Sequence, residues 1–381
     1  MTKIIQKIGH SKAWHTLEQI SGLMTRIIQK IGWPIIIIGL FLIILFILCP
    51  VVGVNIQFAF DNVIGRFVMN LVLVLSLVPM IQTGCGLNFG LPLGIASGIL
   101  GIACSIELAT TTFFGLAPAG SLRFLSTGFL GMFVAIIIGC AFASLVGLGY
   151  GYILNRIKGD EMIISTYIGF VFIAFMCMLW IKLLPFKNPI LIYAYGGDGF
   201  KPQVTLGQNW AKVLDNFLYF KIGPIITIPT GTILFGALCC FMMWVFFRSK
   251  LGTAMTAVGS NPEYARASGV NINKMRLISV VMSTAIAALG IVVYAQSYTF
   301  VQFYTTPQNY TMPTVAAILL GGAAIKKASI KNVLIGTFLF FGVVTLGPQV
   351  AGETLADVAE PVRLIIQNGM ILYALTRKER R

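Results

Sequence analysis

The sequence predicts an all-α protein that crosses a membrane about ten times. Of its 381 residues, 57% are hydrophobic and only 10% are charged, and the mean hydropathy is +0.89. Soluble domains carry about 25% charged residues. A membrane-spanning helix needs about 20 apolar residues, and stretches of this kind are predicted at 34–54, 67–83, 88–108, 127–153, 163–185, 223–247, 276–296, 308–325, 328–349 and 361–376.

The stretch 308–325 is the least regular of these, because Pro313 interrupts it. We expect it to join residues 297–307 in a broken or re-entrant segment. Membranes accept such a segment where protein or water covers its backbone.

The formal net charge of +15 follows the predicted topology. When ten spans alternate from a cytoplasmic N-terminus, most of the 27 lysines and arginines fall on the cytoplasmic side, as the positive-inside rule describes. Arg66 belongs to the smaller set expected outside. The charge therefore indicates membrane orientation rather than nucleic-acid binding, and both termini are expected in the cytoplasm.

The chain divides into a basic, amphipathic N-terminal extension, 1–33, and a transmembrane domain, 34–381. Residues 1–9 recur almost unchanged at 24–32, so the extension is either a duplicated helix on the inner leaflet or a segment preceding a second start at Met24. Two long loops are predicted in the transmembrane domain, 186–222 outside and 248–275 inside. The aromatic residues of the outer loop suit either partner docking or the membrane interface.

The inner loop contains the most informative motif, a polar segment that reads as a short capped helix. Serine and asparagine cap helices, proline suits the first turn, a glutamate favours the positive end of the helix dipole, and glycine ends a helix. These residue types occur here in that order. The residues that carry the motif are Ser260, Asn261, Pro262, Glu263, Ala265, Arg266 and Gly269.

This loop resembles the cytoplasmic loop of permease subunits in ribose- and galactose-type ABC importers, within the superfamily that includes branched-chain amino acid permeases. The matching letters are Leu-Gly at 251–252, Gly-Ser-Asn-Pro-Glu at 259–263, Ala-Arg-x-x-Gly-Val at 265–270 and Ala-Ala-Ile-Leu-Leu-Gly-Gly at 316–322. The resemblance implies that the 261–269 helix docks on an ATP-binding subunit. It also implies a second permease copy or paralogue, an extracytoplasmic solute-binding protein, and location in a bacterial inner membrane.

Residues 86–90 read Gly-Leu-Asn-Phe-Gly where the resembling family has Gly-x-Asp-Leu-Ser-x-Gly, which leaves the substrate open. Amides and aromatic rings suit a neutral polyol, since they supply hydrogen bonds and a stacking surface. The residues expected along the substrate pathway are Gln82, Asn88, Phe89, Gln296 and Tyr298. Glu107 and Arg363 are expected at the outer ends of spans, within reach of water.

Small residues are predicted to allow close helix packing. Gly86, Gly90, Gly94 and Gly98 recur every four residues, and Gly321 and Gly322 are adjacent in the later matching block. Together with Pro92, the first set predicts a discontinuity at membrane depth.

The sequence contains no Gly-x-x-x-x-Gly-Lys-Ser/Thr loop, so ATP and Mg are expected on a partner subunit and no cofactor or metal on this chain.

The expected function is the permease subunit of an importer for a small neutral solute, a simple sugar. A nucleoside is the alternative substrate. An ion-coupled secondary transporter is a rival class, although Glu107 is the only carboxylate inside a predicted span. No residue cluster favours an enzyme.

Overall fold

A computed structural model describes residues 33–108, 123–157, 159–183, 186, 188–192, 199–207, 209–217, 220–222, 226–324, 327–354 and 359–376. Throughout this part of the chain the regular structure is helical, apart from four three-residue strands. The predicted all-α class is confirmed. The predicted amphipathic helix of the N-terminal extension lies outside the described residues.

The helices are α1 (Trp33–Val52), α2 (Ile56–Leu75), α3 (Val78–Gln82), α4 (Leu91–Glu107), α5 (Gly128–Arg156), α6 (Glu161–Met178), α7 (Thr230–Arg248), α8 (Lys250–Ser260), α9 (Pro262–Ala267), α10 (Ile272–Tyr298), α11 (Thr306–Asn309), α12 (Thr311–Leu320), α13 (Ile330–Thr354) and α14 (Ala359–Thr376). The strands are β1 (Gln203–Thr205), β2 (Phe220–Ile222), β3 (Ile226–Ile228) and β4 (Phe300–Gln302).

Among the described residues, seven helices are long and apolar enough to cross a membrane, namely α1, α2, α5, α6, α7, α10 and α13. Each predicted span contains a helix, but two predictions of detail are wrong. α2 begins at Ile56 rather than at 67, because Asn55 caps it by accepting a hydrogen bond from the Gln57 N–H at 2.9 Å. The same predicted span, 67–83, is divided between α2 and α3.

The centre of the bundle is formed by α4, α5 and α10, which pack against one another. Gly94 and Gly98 lie where α4 crosses α10. A Cβ atom on Gly98 would stand 2.3 Å from the Ile291 Cγ2, and one on Gly94 would stand 2.5 Å from the Thr284 carbonyl oxygen. The two backbones therefore approach as closely as glycine allows.

The other two glycines of the predicted stripe lie elsewhere. Gly90 faces Tyr150 of α5, where a Cβ would stand 2.5 Å from the phenol oxygen. Gly86 precedes α4 and has φ +79°, a left-handed conformation that favours glycine. The four glycines therefore do not lie on one helix face, because the first of them belongs to the turn before α4.

A second group of helices consists of α13 with α1, α2, α12 and α14, all of which contact it. Gly321 at the end of α12 meets α13 at Asn332, where a Cβ would stand 1.9 Å from the carbonyl oxygen. Gly322 follows with φ +89° and turns the chain. The expected irregularity of 297–325 takes the form of β4, α11 and the short helix α12.

Loop 186–222 packs onto the bundle in its described parts. β1 pairs antiparallel with β4, with Gln203 opposite Gln302. Phe200 and Trp210 are 2% and 1% exposed, and the Phe200 ring lies edge-on to Phe303 at 5.1 Å. These two aromatic residues therefore belong to the core, which corrects their assignment to a docking surface or membrane interface.

Loop 248–275 is more helical than predicted. Besides the expected short helix, α9, it contains α8, which begins at Lys250. Ser249 caps α8, because its Oγ accepts a hydrogen bond from the Gly252 N–H at 3.4 Å.

Replacing Gly98 by valine tests the α4–α10 contact. Overpacking a tight contact costs about 1–3 kcal/mol, so we expect a lower melting temperature for the detergent-solubilised protein, measured by size-exclusion chromatography after heating. Gly149→Val is the matched control, because Gly149 lies in α5 with open space where its Cβ would stand. Equal melting temperatures for the two variants would contradict the contact.

Candidate functional site

The first candidate region is the α8–α9 pair between α7 and α10. Asn261 joins the two helices: its Oδ1 accepts hydrogen bonds from the N–H groups of Glu263 and Tyr264, both at 3.1 Å. Ser260 instead ends α8 and donates its hydroxyl to the Ala257 carbonyl at 3.1 Å. Of the two possible caps, the structure uses Asn261.

Helix α9 is exposed on all but one side. Ala265 is 1% exposed and packs in a small cluster with Met255, Val258 and Met275. Glu263 and Arg266 are exposed, and Tyr264 is 68% exposed. Gly269 has φ +80°, and beyond it the Val270 N–H donates to the Ala265 carbonyl at 3.0 Å, which closes the helix. Helix α9 therefore presents a short polar surface, and its Ala265 packs it against the bundle.

Gln82 connects α8 with two other parts of the bundle. Its Oε1 accepts from the Thr256 hydroxyl at 3.0 Å, and its Nε2 donates to the Ala328 carbonyl just before α13. The backbones also touch here, since a Cβ on Gly259 would stand 2.1 Å from the Gln82 carbonyl oxygen. Gln82 therefore lies at a junction of α3, α8 and α13.

Asn88 lies in a buried hydrogen-bond network at the start of α4. Its Nδ2 donates to the Ser283 Oγ at 2.8 Å, and its Oδ1 accepts from the Tyr150 hydroxyl at 3.1 Å. The Tyr150 hydroxyl also lies 2.8 Å from the Ser165 Oγ. This network joins α4, α5, α6 and α10. Phe89 is the next residue and is partly buried.

Gln296 is buried near the far end of α10, where it holds residues 209–217. Its Oε1 accepts from the Leu214 N–H at 3.1 Å, and its Nε2 donates to the Ser297 Oγ at 2.6 Å. Asp215 receives hydrogen bonds from Ser297, at 2.9 Å, and from Thr232. These bonds fix the loop segment to the ends of α7 and α10.

Glu107 is 4% exposed, which corrects the expectation that water reaches it. Its Oε2 accepts from the Asn188 N–H at 3.0 Å, and the Asn188 Nδ2 donates to the Ile106 carbonyl at 2.7 Å. The segment around Asn188 covers the end of α4, so this carboxylate anchors a loop.

The second candidate region is a cavity of about 530 Å³ between α2, α10, α12, α13 and α14, here called the tyrosine cavity. Small-molecule sites occupy about 300–1,000 Å³. α10 begins beside α9 and ends at the cavity, and its 27 residues extend about 40 Å. The polar residues that line the cavity are Asn62, Arg66, Asn70, Tyr294, Tyr298, Gln302, Thr306, Asn309, Tyr310, Thr345, Gln349, Arg363 and Gln367.

Three tyrosines and an arginine form one wall of the tyrosine cavity. The rings of Tyr294 and Tyr298 stack with centroids 5.2 Å apart, and Tyr310 lies 4.7 Å from Tyr294 and shares a hydrogen bond with its hydroxyl. The Arg66 guanidinium carbon stands 4.6 Å from the Tyr298 ring centroid, a cation–π contact. On the rim, Arg363 forms an ion pair with Glu360.

Arg66 was expected in a loop on the outer side, but the structure places it within α2, because that helix begins at Ile56. A sequence signal for the cavity does exist. Asn62, Arg66 and Asn70 are spaced four apart, which puts them on one helix face. The pairs 294/298 and 363/367 repeat that spacing. Polar residues thus recur every four positions in three separate helices. A mean hydropathy over a whole window does not detect this pattern.

Of the five residues expected along a pathway, Tyr298 lines the tyrosine cavity. Gln82, Asn88, Phe89 and Gln296 lie in the separate regions described above, so the structure does not bring the five together. Their assignment to a solute pathway remains a prediction.

A bundle of apolar helices around a polar cavity is the architecture of a multi-pass membrane transport protein. The comparison with known families specifies the class. Residues 89–375 match the family described as the permease component of branched-chain amino acid transport systems, and the chain belongs to this family.

Among individual relatives, the ribose import permease protein of Escherichia coli (strain K12) is 24% identical over 256 residues, covering 67% of this chain and 74% of the relative. The fructose import permease protein of Rhizobium meliloti is 24% identical over 307 residues, covering 77% and 75%. A nucleoside ABC transporter permease protein of Lactococcus lactis subsp. cremoris (strain MG1363) is 27% identical over 172 residues, covering 43% of each chain. No solved structure matches. The resemblance to sugar-importer permeases is confirmed.

Replacing Gln296 by leucine tests its role in holding residues 209–217. Leaving buried polar groups without partners costs about 1–3 kcal/mol, so we expect a lower melting temperature and faster proteolysis within this segment. Gln203→Leu is the control, since Gln203 is exposed on β1, opposite Gln302. If Gln296→Leu abolished transport without changing melting or proteolysis, Gln296 would be a pathway residue instead.

Proposed function

We propose that this chain is the membrane permease subunit of an ATP-driven ABC importer for a small neutral solute, a simple sugar of the ribose or galactose type. The observation that carries the proposal is α9, a capped helix whose polar residues are exposed while Ala265 fixes it to the bundle. The similarity to the ribose and fructose import permeases supports a sugar. The shorter match to a nucleoside permease makes a nucleoside the second candidate.

In this proposal the transmembrane domain is residues 34–381 and the basic extension precedes it. The distribution of lysines and arginines supports a cytoplasmic position for α9 and for both termini, with the chain in a bacterial inner membrane. An ATP-binding subunit, which carries ATP and Mg, docks on α9. A solute-binding protein delivers the sugar from the other side, and a second permease copy or paralogue completes the transporter.

The contacts of α8 suggest how a movement of α9 reaches the tyrosine cavity. α9 and α8 share one apolar cluster, so they move together. α8 touches the α3–α4 turn through Gly259, and Gln82 continues the contact to Ala328, between α12 and α13. Both of those helices line the cavity.

Reversing both charges on α9, by Glu263→Lys with Arg266→Glu, tests the docking. We expect loss of association with the ATP-binding subunit in pull-down and loss of ATP-dependent uptake, because the two exposed charges would oppose their partners. The matched control is Arg156→Glu with Asp160→Lys, an exposed pair on the turn between α5 and α6.

Retained association and uptake in the α9 variant would refute the docking site. The importer assignment itself would fail if the purified wild-type chain, alone in vesicles, accumulated sugar in response to an ion gradient without ATP. That outcome would favour the ion-coupled class.

Removing the side-chain link tests the proposed route from α8. In Gln82→Met and in Thr256→Val we expect the ATP-binding subunit to remain bound, while the ratio of sugar transported to ATP hydrolysed falls in reconstituted vesicles. Thr253→Val is the control, because the Thr253 hydroxyl donates to local carbonyls, those of Lys250 on its own helix and of Ser249, which caps that helix. An unchanged ratio in both linked variants would exclude Gln82 from coupling.

A further inference from the structure

Two buried oxygen atoms in the wall of the tyrosine cavity lack donors. Asn70 Oδ1 and Gln349 Oε1 have no hydrogen-bond partner within the described part of the chain, and Asn70 is only 1% exposed. Both residues line the cavity. Native proteins leave few buried polar atoms unpaired. Both oxygens are closed to water in this conformation, so a ligand O–H group would reach either one after its amide turned into the cavity.

Arg66 contributes donors to the same wall. It lies one turn before Asn70, whose Nδ2 donates to the Arg66 carbonyl at 2.8 Å and so faces the helix backbone. Neither ion pair found among the described residues involves Arg66. A guanidinium group has five N–H donors, and that of Arg66 is held over the Tyr298 ring with the Tyr294 hydroxyl 3.5 Å from its Nη1.

The combination of donors, acceptors and ring faces selects a class of ligand. An anion would pair with Arg66 but would set its charge against the two amide oxygens. An apolar ring would leave those oxygens and the guanidinium unpaired. A hydroxyl-rich ring donates and accepts at every hydroxyl, and its C–H face packs on aromatic rings. Tyr298 and Phe300, whose ring centroids lie 4.4 Å apart, both line the cavity and supply this aromatic surface.

We propose that the tyrosine cavity is a solute-binding site within a single permease chain. Arg66, Asn70 and Gln349 form hydrogen bonds to the hydroxyls of a pentose or hexose, and Tyr298 packs against its ring. The proposal rests on the proposed function, because a sugar must enter the chain on the side opposite α9.

Saturation-transfer-difference NMR of the full-length chain in nanodiscs, with D-ribose and D-galactose as separate probes, tests the site. We expect saturation transfer to the ring protons of at least one sugar. Tyr298→Ala, Arg66→Ala and Gln349→Leu should each weaken binding on the order of tenfold. Tyr298→Phe should retain binding, since it keeps the ring, and this variant guards against loss of fold. Tyr167→Ala is the control, because Tyr167 is 64% exposed on α6.

Three results would overturn the site: no transfer from the wild-type chain to either sugar, wild-type binding in all three disruptive variants, or binding of uridine with neither sugar bound. Pull-down of the ATP-binding subunit is measured on the same samples. Intact association without sugar binding would remove the site and leave the importer assignment standing. Sugar binding without any association would remove the importer assignment while the cavity remained a sugar site.

Discussion

The close approach of α4 to α10 is the contact on which the rest of the bundle depends. In a membrane the hydrophobic effect does not drive helices together, so association relies on packing and hydrogen bonding. Gly94 and Gly98 allow the two backbones to meet at the centre of the protein. This contact places α10 beside the start of α4, where Asn88 forms a hydrogen bond with Ser283. The other end of α10 lines the tyrosine cavity.

Polar groups inside this membrane protein fall into two physical classes. Asn88 and Gln296 have their hydrogen bonds satisfied by neighbouring helices and loops, so they stabilise the fold and specify which elements meet. Within the described part of the chain, Asn70 and Gln349 each keep a buried oxygen without a partner, and Arg66 lines the cavity wall. The proposed sugar site rests on these three cavity residues.

The two candidate regions lie at opposite ends of α10, yet they share helices. α9 rests on the cluster of Met255, Val258 and Ala265, and α8 reaches the α12–α13 turn through Gln82. Because α12 and α13 also line the tyrosine cavity, these contacts form the route proposed for coupling α9 to the cavity.

The sequence by itself determined the membrane class, the approximate spans and the capped helix at 261–269, because hydropathy, span length and capping are local properties. It also marked the family through letters in that loop. Tertiary structure alone decided which polar residues share a cavity, since this depends on which helix faces meet. In the sequence, four residues have the same appearance, each a polar side chain within or next to an apolar segment: Gln82, Asn88, Gln296 and Tyr298. Their tertiary contacts distinguish them: Gln82 lies at a helix junction, Asn88 and Gln296 lie in buried hydrogen-bond networks, and Tyr298 lines the cavity.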